Sequence, residues 1–375
     1  MLLRPFALER FFAKYEFSVR HVLCASDCRT RTIGDLAKLE PDLLERIASL
    51  RLGYVDSRGT PSLRAVIASM YTAISPDEVL VFSGAQEAIL WFYFATLAEG
   101  DEVVVHAPGY ASHQEIPKAL GAGVIRWFGD PANGDRLDVG ELRDLVTPRT
   151  RAIIVNSPHN PTGYSMPRAD FDAMHALAVE RGIAIFSDEV FRESEHDARD
   201  RLPAACDVSS TAVSLGVTSK TYGLAGLRVG WIATKDRALY EKLASLKDYS
   251  TICNGAPNEL LAEVAMKHRD VLANENVALI RRNLDLLDAF FARHADLFAW
   301  RRPKAGPVTF VGLKRGDVDT FCDELVRETG VLLMPGTLFD DPHNRFRIGF
   351  GRADLPEALA ALETFVEARG AGAHH

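Results

Sequence analysis

From Asp77 onward, short apolar runs bounded by turn residues alternate with longer segments whose apolar residues recur at helical spacing. That alternation predicts a mainly parallel sheet covered by helices. Strands are predicted at residues 79–82, 102–106, 123–128, 152–156, 184–187, 212–215 and 229–233, and helices at 86–97, 112–120, 140–145, 168–180 and 237–249. Residues 257–292 hold no internal glycine or proline and predict one or two long helices leaving the sheet. Beyond about Arg281 the pattern changes: 309–313, 330–334 and 346–350 read as strands, 317–329 and 355–369 as helices. The expected fold class is α/β, a large domain with a mainly parallel sheet in an α/β/α sandwich plus a small α+β domain. The first 45 residues lack enough core to fold alone and are expected to pack on the C-terminal unit. That gives a large domain over 46–281 and a small one formed by 1–45 and 282–375. His374-His375, after Gly370-Ala371-Gly372-Ala373, reads as a native tail or an addition and is left out of the fold.

Composition narrows the partners. The 375 residues carry 43 Lys plus Arg against 51 Asp plus Glu, a net charge of -8, which gives no general pull toward nucleic acid or anionic lipid. A small-molecule partner is expected. No signal-peptide pattern or bilayer-length apolar run occurs, so the cytoplasm is the expected location. The five cysteines form no Cys-x-x-Cys pair and are read as reduced thiols without a redox role. No metal site is assigned. No Gly-x-Gly-x-x-Gly follows a predicted strand, which argues against a nicotinamide dehydrogenase.

The chemistry concentrates around Lys220, in Ser219-Lys220-Thr221-Tyr222-Gly223, and Asp188, in Phe186-Ser187-Asp188-Glu189. A lysine amine forms an imine with an aldehyde cofactor, and a carboxylate under a pyridine ring keeps its nitrogen protonated, making the ring an electron sink. Together they point to pyridoxal 5'-phosphate. Ser83-Gly84-Ala85-Gln86 lies where a predicted strand gives way to a helix, so free N–H groups and the helix dipole can hold a phosphate there. Tyr110 follows Pro108-Gly109 at a strand end, where its ring can lie flat on a pyridine. Pro158 and Pro161 flank His159-Asn160 and stiffen the backbone that aims the Asn160 amide. Asp188 ends an apolar strand, a costly place for a carboxylate unless a cation pairs with it. Arg228 is charged amid apolar neighbours and suits a bidentate phosphate contact, as Arg347 in a predicted small-domain strand suits a carboxylate.

Over nearly its whole length the chain resembles the fold-type I pyridoxal-phosphate enzymes of the class I/II aminotransferase superfamily. The matching segments are Tyr54 to Arg64, Ser83 to Gln86, Pro108 to Tyr110, Asn160 to Gly163, Asp188 to Phe191, Ser219 to Trp231 and Phe346 to Ile348, in the family's order. The resemblance implies the PLP-dependent transferase fold type I and an aminotransferase working through a Lys220 Schiff base and a quinonoid or carbanion intermediate. It implies catalytic roles for Lys220, Asp188 and Tyr110. It implies cofactor binding by Gly84, Ala85, Gln86, Tyr110, Asn160, Asp188, Ser219, Lys220 and Arg228, and substrate binding by Arg347 and Asn160. Asn160 would donate to the pyridoxal 3'-oxygen. Tyr54 would reach the phosphate of the neighbouring subunit, making the partner a second copy in a homodimer with shared sites. Val217 stands where the family has serine or threonine, leaving Thr218 and Ser219 as candidate phosphate donors.

The N-terminal segment, including Cys24-Ala25-Ser26-Asp27-Cys28, looks more like the start of capreomycidine synthase and related cyclases than that of common aminotransferases. The alternative it implies is elimination and cyclisation of a hydroxylated arginine, with Ser26-Asp27-Cys28 facing a cationic side chain or forming an exposed turn. A non-catalytic effector domain of a transcription regulator is the remote alternative. Too few residues precede the cofactor domain for a helix-turn-helix, and no basic arm is present. Phe191 stands where most family members have a tyrosine donating to the pyridoxal 3'-oxygen. Losing that donor removes support from the ring oxyanion, and the imine pKa should rise. Absorbance titration should therefore give the parent a higher imine pKa than Phe191→Tyr; equal values would reject the expectation.

Overall fold

The structure is a computed structural model and describes residues 3–372. Among these residues seven strands form the large sheet: β1 (Val79–Phe82), β2 (Glu102–Ala107), β3 (Gly123–Phe128), β4 (Thr150–Asn156), β5 (Ala184–Asp188), β6 (Ala212–Val217) and β7 (Gly230–Thr234). Their spatial order is β1-β7-β6-β5-β4-β2-β3. β7 runs antiparallel to both β1 and β6, while β2 to β6 pair parallel with one another and with β3.

Both faces of this sheet are covered, so its strands are almost continuously apolar. Alternation along each strand divides them between the two cores. Val103, Val105, Ile154 and Phe186 pack under Ile89 and Phe92 of the helix Ala85–Thr96. Val104, Ile153, Val155 and Ile185 pack on the other side against Phe171 and Met174 of the helix Arg168–Arg181. Toward the β1 edge that second face is closed by Leu63, Ile67, Val264 and Trp231.

The remaining described strands, β8 (Phe298–Ala299), β9 (Val308–Leu313), β10 (Met334–Pro335) and β11 (Arg345–Gly349), form an antiparallel sheet in the order β10-β11-β9-β8. Phe298 and Phe346 pack there against Phe321 of the helix Val318–Thr329, which in turn meets Phe365 of the helix Leu355–Gly372. His374-His375 lie outside the described residues.

One departure from the sequence pattern has a physical cause. The 330–334 run is a strand only at its end. Gly330 caps the preceding helix in the left-handed region, and the Leu332 N–H donates to the His21 carbonyl, so the run pairs with the N-terminal segment instead. As expected, residues 257–292 form long helices, here two, Ala256–Lys267 and Arg269–Arg293, that meet at His268. The helices Ala7–Tyr15, Ile33–Leu39, Leu43–Ala48 and Pro61–Ala68 fall in the stretch left unassigned by the pattern.

The N-terminal segment serves both sheets. Leu8 and Cys24 pack with Phe310 and Met334, whereas Leu36 and Leu43 pack with Leu63 and Ile67 on the large sheet. The helix Arg269–Arg293 also bridges, with Leu272 in the large core and Ile280, Leu284 and Phe290 in the small one. We propose a large domain over 46–281 and a small one from both chain ends, with Leu36 and Leu43 favouring an N-terminal limit nearer Arg31.

Gly216 sets the spacing between β6 and β7. It faces Trp231 in register, and a Cβ on it would lie 2.3 Å from the fully buried indole, whose N–H donates to Tyr71 Oη at 2.8 Å. Gly216→Ala should destabilise the fold by about 1–3 kcal/mol through overpacking, read as a lower urea midpoint. An unchanged midpoint would contradict this packing.

Candidate active site

Parallel strands bring their carboxyl ends to one rim, where open α/β sheets bind ligands. Asn156 and Asp188 are register partners at the ends of β4 and β5, and β6 leads through Val217 to Ser219 and Lys220. A cavity of about 410 Å³ lies over this rim. Of the sequence-expected residues, Ala85, Gln86, Tyr110, Asn160, Asp188, Ser219, Lys220, Arg228 and Arg347 all line it. Tyr54 does not join them; it is 90% exposed on the surface.

One end of the cavity is an anion cradle. Gly84 caps the helix Ala85–Thr96 with φ 82, and a Cβ there would lie 2.4 Å from Arg228 Nη2, so the guanidinium packs against the helix N-terminus where its N–H groups are free. Arg228 Nη1 also donates to Ser219 Oγ at 3.4 Å. Helix dipole, guanidinium and hydroxyl together suit a phosphate dianion. Thr218, the other expected donor, is turned away: its buried hydroxyl donates to the Val229 carbonyl at 3.0 Å. Gln86 reaches the cavity wall and exchanges hydrogen bonds with Ser112 Oγ at 2.8 and 2.9 Å.

Asp188 is buried and lies 3.2 Å from His113 Nε2, while His113 Nδ1 is 3.0 Å from Tyr93 Oη. Its other oxygen accepts the Val190 N–H at 3.2 Å. Beneath it, the Asn156 amide donates to the Asp188 carbonyl at 2.8 Å and accepts the Asn160 N–H at 2.7 Å. This brace fixes a carboxylate on the cavity wall, where a protonated ring nitrogen would meet it. Tyr110 packs 5.1 Å from the Phe6 ring, and burial pushes its phenol well above the ordinary range, so it stays neutral on the cavity wall.

Arg347 is fully buried and partly spoken for. Its Nε and Nη2 donate to the Cys24 carbonyl at 3.1 and 2.8 Å, and Nη1 donates to Asn160 Oδ1 at 2.8 Å. A guanidinium has five N–H donors, so one remains on each Nη to meet a carboxylate. Lys220 Nζ donates to Ser26 Oγ at 2.9 Å and sits 6.0 Å from the Phe191 ring. Burial lowers its pKa from the usual amine value, with the Asp27 charge opposing the shift. A larger fraction of the amine is therefore neutral and nucleophilic.

Several lining residues escaped the sequence reading: Glu9, Phe12 and Glu16 on one face of the helix Ala7–Tyr15 and its C-cap, and Arg352 after β11. Their spacing of three and four along a helix was the available signal. Asp27, expected to face a cation or the solvent, is held by Arg352, whose Nε and Nη2 each donate at 3.0 Å. Among the described residues no group of His, Cys, Asp or Glu is arranged to hold a metal ion. The cradle, the braced carboxylate and the amine fit pyridoxal phosphate.

The family described as aminotransferase class I and II matches residues 21–362. Capreomycidine synthase of Streptomyces vinaceus is 31% identical over 371 residues, 97% of this chain and 94% of that protein. Arginine–pyruvate transaminase AruH of Pseudomonas aeruginosa is 32% identical over 328 residues, covering 82% of this chain and 81% of the relative. The crystal structure of a PLP-dependent aminotransferase from Streptococcus suis superimposes with a TM-score of 0.92 at 29% identity, over 98% of this chain and 99% of that one. The chain belongs to the aminotransferase class I and II family, and it is a pyridoxal-phosphate-dependent enzyme of fold type I, a transaminase or a related cyclase.

Proposed function

We propose that the protein is an aminotransferase acting on an α-amino acid. The observation that carries this reading is the convergence of the Lys220 amine, the braced Asp188 carboxylate and the half-satisfied Arg347 guanidinium on one cavity. Arg347, with its two remaining donors, orients the α-carboxylate of the substrate. Bound pyridoxal phosphate supplies an electron sink for the bond that breaks at the substrate α-carbon. Asp188 holds a proton on the ring nitrogen, and His113 and Tyr93 keep that carboxylate in place. Arg228, Ser219 and the N-terminal turn at Gly84 would hold the cofactor phosphate, with Tyr110 and Asn160 on the cavity wall to receive the ring. Lys220 Nζ takes the proton from the α-carbon, and burial, which lowers its pKa, favours the neutral amine that can accept it.

A second reading is elimination and cyclisation of a hydroxylated arginine. It is supported by the match to the Streptomyces synthase, which runs through the N-terminal segment that lines the cavity. We also infer a homodimer, supported by the exposure of Tyr54 at 90% beside Leu52 at 83%, an aromatic and an aliphatic side chain left in water. The five free thiols support a reducing compartment, the cytoplasm. Among the described residues no helix is long and apolar enough to cross a membrane.

Mixing holoenzyme with an amino acid panel that includes arginine and hydroxyarginines should shift the cofactor absorbance and release a 2-oxo acid. Lys220→Ala should slow that conversion on the order of 10³-fold or more. Loss of water with the aldehyde cofactor retained would favour the cyclase, and turnover unaffected in Lys220→Ala would contradict both.

A further inference from the structure

We propose that Glu9 and Glu16 select an amino acid whose side chain ends in a positive charge; this rests on the active-site reading above and adds the substrate class to it. Each charged group lining the cavity has a partner or a role except these two residues. Glu9, Glu16, Asp27 and Asp188 line it on the acidic side, and Lys220, Arg228, Arg347 and Arg352 on the basic side. Each basic group already has an assignment. Arg352 grips Asp27 through two hydrogen bonds of 3.0 Å, Arg347 is anchored by Cys24 and Asn160 with its free donors reserved for the α-carboxylate, Arg228 serves the anion cradle, and Lys220 is the reacting amine.

Glu9 and Glu16 are left over. Neither has an ion-pair or hydrogen-bond partner among the described residues, yet both face the cavity. Burial raises the Glu16 pKa, and the neighbouring charges of Asp27 and Glu9 add to that, while Arg352 and Lys220 oppose it. The Glu9 charge is felt by Tyr110, Lys220 and Arg347, so its carboxylate lies within electrostatic reach of the cavity floor. Placed seven residues apart on the helix Ala7–Tyr15 and its C-cap, the two acids sit about 10 Å apart along the axis, with Phe12 between them on the same lining. An apolar wall between carboxylates suits a long methylene stem carrying a guanidinium or ammonium at its end. Glu9 is exposed and Glu16 half-buried, so water satisfies both when no cation is bound; a cationic side chain gains their attraction and an acidic one meets their repulsion.

The test uses two ligands that lack the α-amine and so do not react with Lys220: 5-guanidinopentanoate and its neutral isostere 5-ureidopentanoate. Calorimetry on the holoenzyme should show the guanidino acid binding about tenfold tighter or better, the equivalent of one charge-assisted contact of roughly 1.4 kcal/mol. In the double variant Glu9→Gln, Glu16→Gln that preference should fall to about threefold or less, with the ureido acid affinity and the cofactor absorbance unchanged. A parent that does not distinguish the two ligands, or a double variant that keeps the full preference, overturns the proposal while leaving the active-site reading intact. A parent that takes up no pyridoxal phosphate at all removes both.

Discussion

The structure turns on keeping an amine and a carboxylate close together where little water reaches them. Lys220 and Asp188 lie at the carboxyl ends of adjacent parallel strands, and burial alone would push the first toward neutrality and makes the second costly. Neither group can be left to find its own position. His113 and Tyr93 brace Asp188 from behind, Asn156 ties the backbone of β5 to the turn that carries Asn160, and Ser26 fixes the Lys220 amine from the opposite side. The helices Ser112–Ala119 and Ala85–Thr96 supply the first two braces and β4 the third. The fourth comes from the N-terminal segment, which explains why that segment packs on both cores rather than forming a unit of its own.

The small sheet has a matching role. Arg347 sits on β11, but its guanidinium is held by the Cys24 carbonyl and the Asn160 side chain, one group from the N-terminal segment and one from the large sheet's rim. Three separate parts of the chain therefore meet at one side chain. Arg352, a few residues further on, repeats the pattern by clamping Asp27. Pairing of the 330–334 run with His21 has the same effect on the backbone, since it docks the N-terminal segment against the edge of the small unit. The cavity is thus closed by contacts between segments far apart in sequence.

That geometry decides what could be read from the chain. The strands of the large sheet were legible because both faces are buried, so Val103-Val104-Val105 and Ala152-Ile153-Ile154-Val155 stand out as unbroken apolar runs. The cofactor residues were legible as short motifs at strand ends, and the structure brings most of them to one cavity. His113 was not, because 75 residues separate it from Asp188 and a lone histidine carries no local signature. The helix Ala7–Tyr15 follows Phe6, which gives no side-chain cap, so no boundary signal marked it or set Glu9 and Glu16 on one face. Thr218 and Ser219 are adjacent in sequence and equally plausible as donors; only the turn of the backbone sends one hydroxyl to Val229 and the other to Arg228.

The most direct measurement of the central claim is chemical trapping. Purified protein supplied with pyridoxal phosphate, reduced with borohydride and digested should yield one modified peptide, with the phosphopyridoxyl mass on Lys220 and an absorbance band that Asp188→Ala weakens. Absence of any modified peptide, or a label spread over other lysines with Lys220 unmodified, would contradict the account.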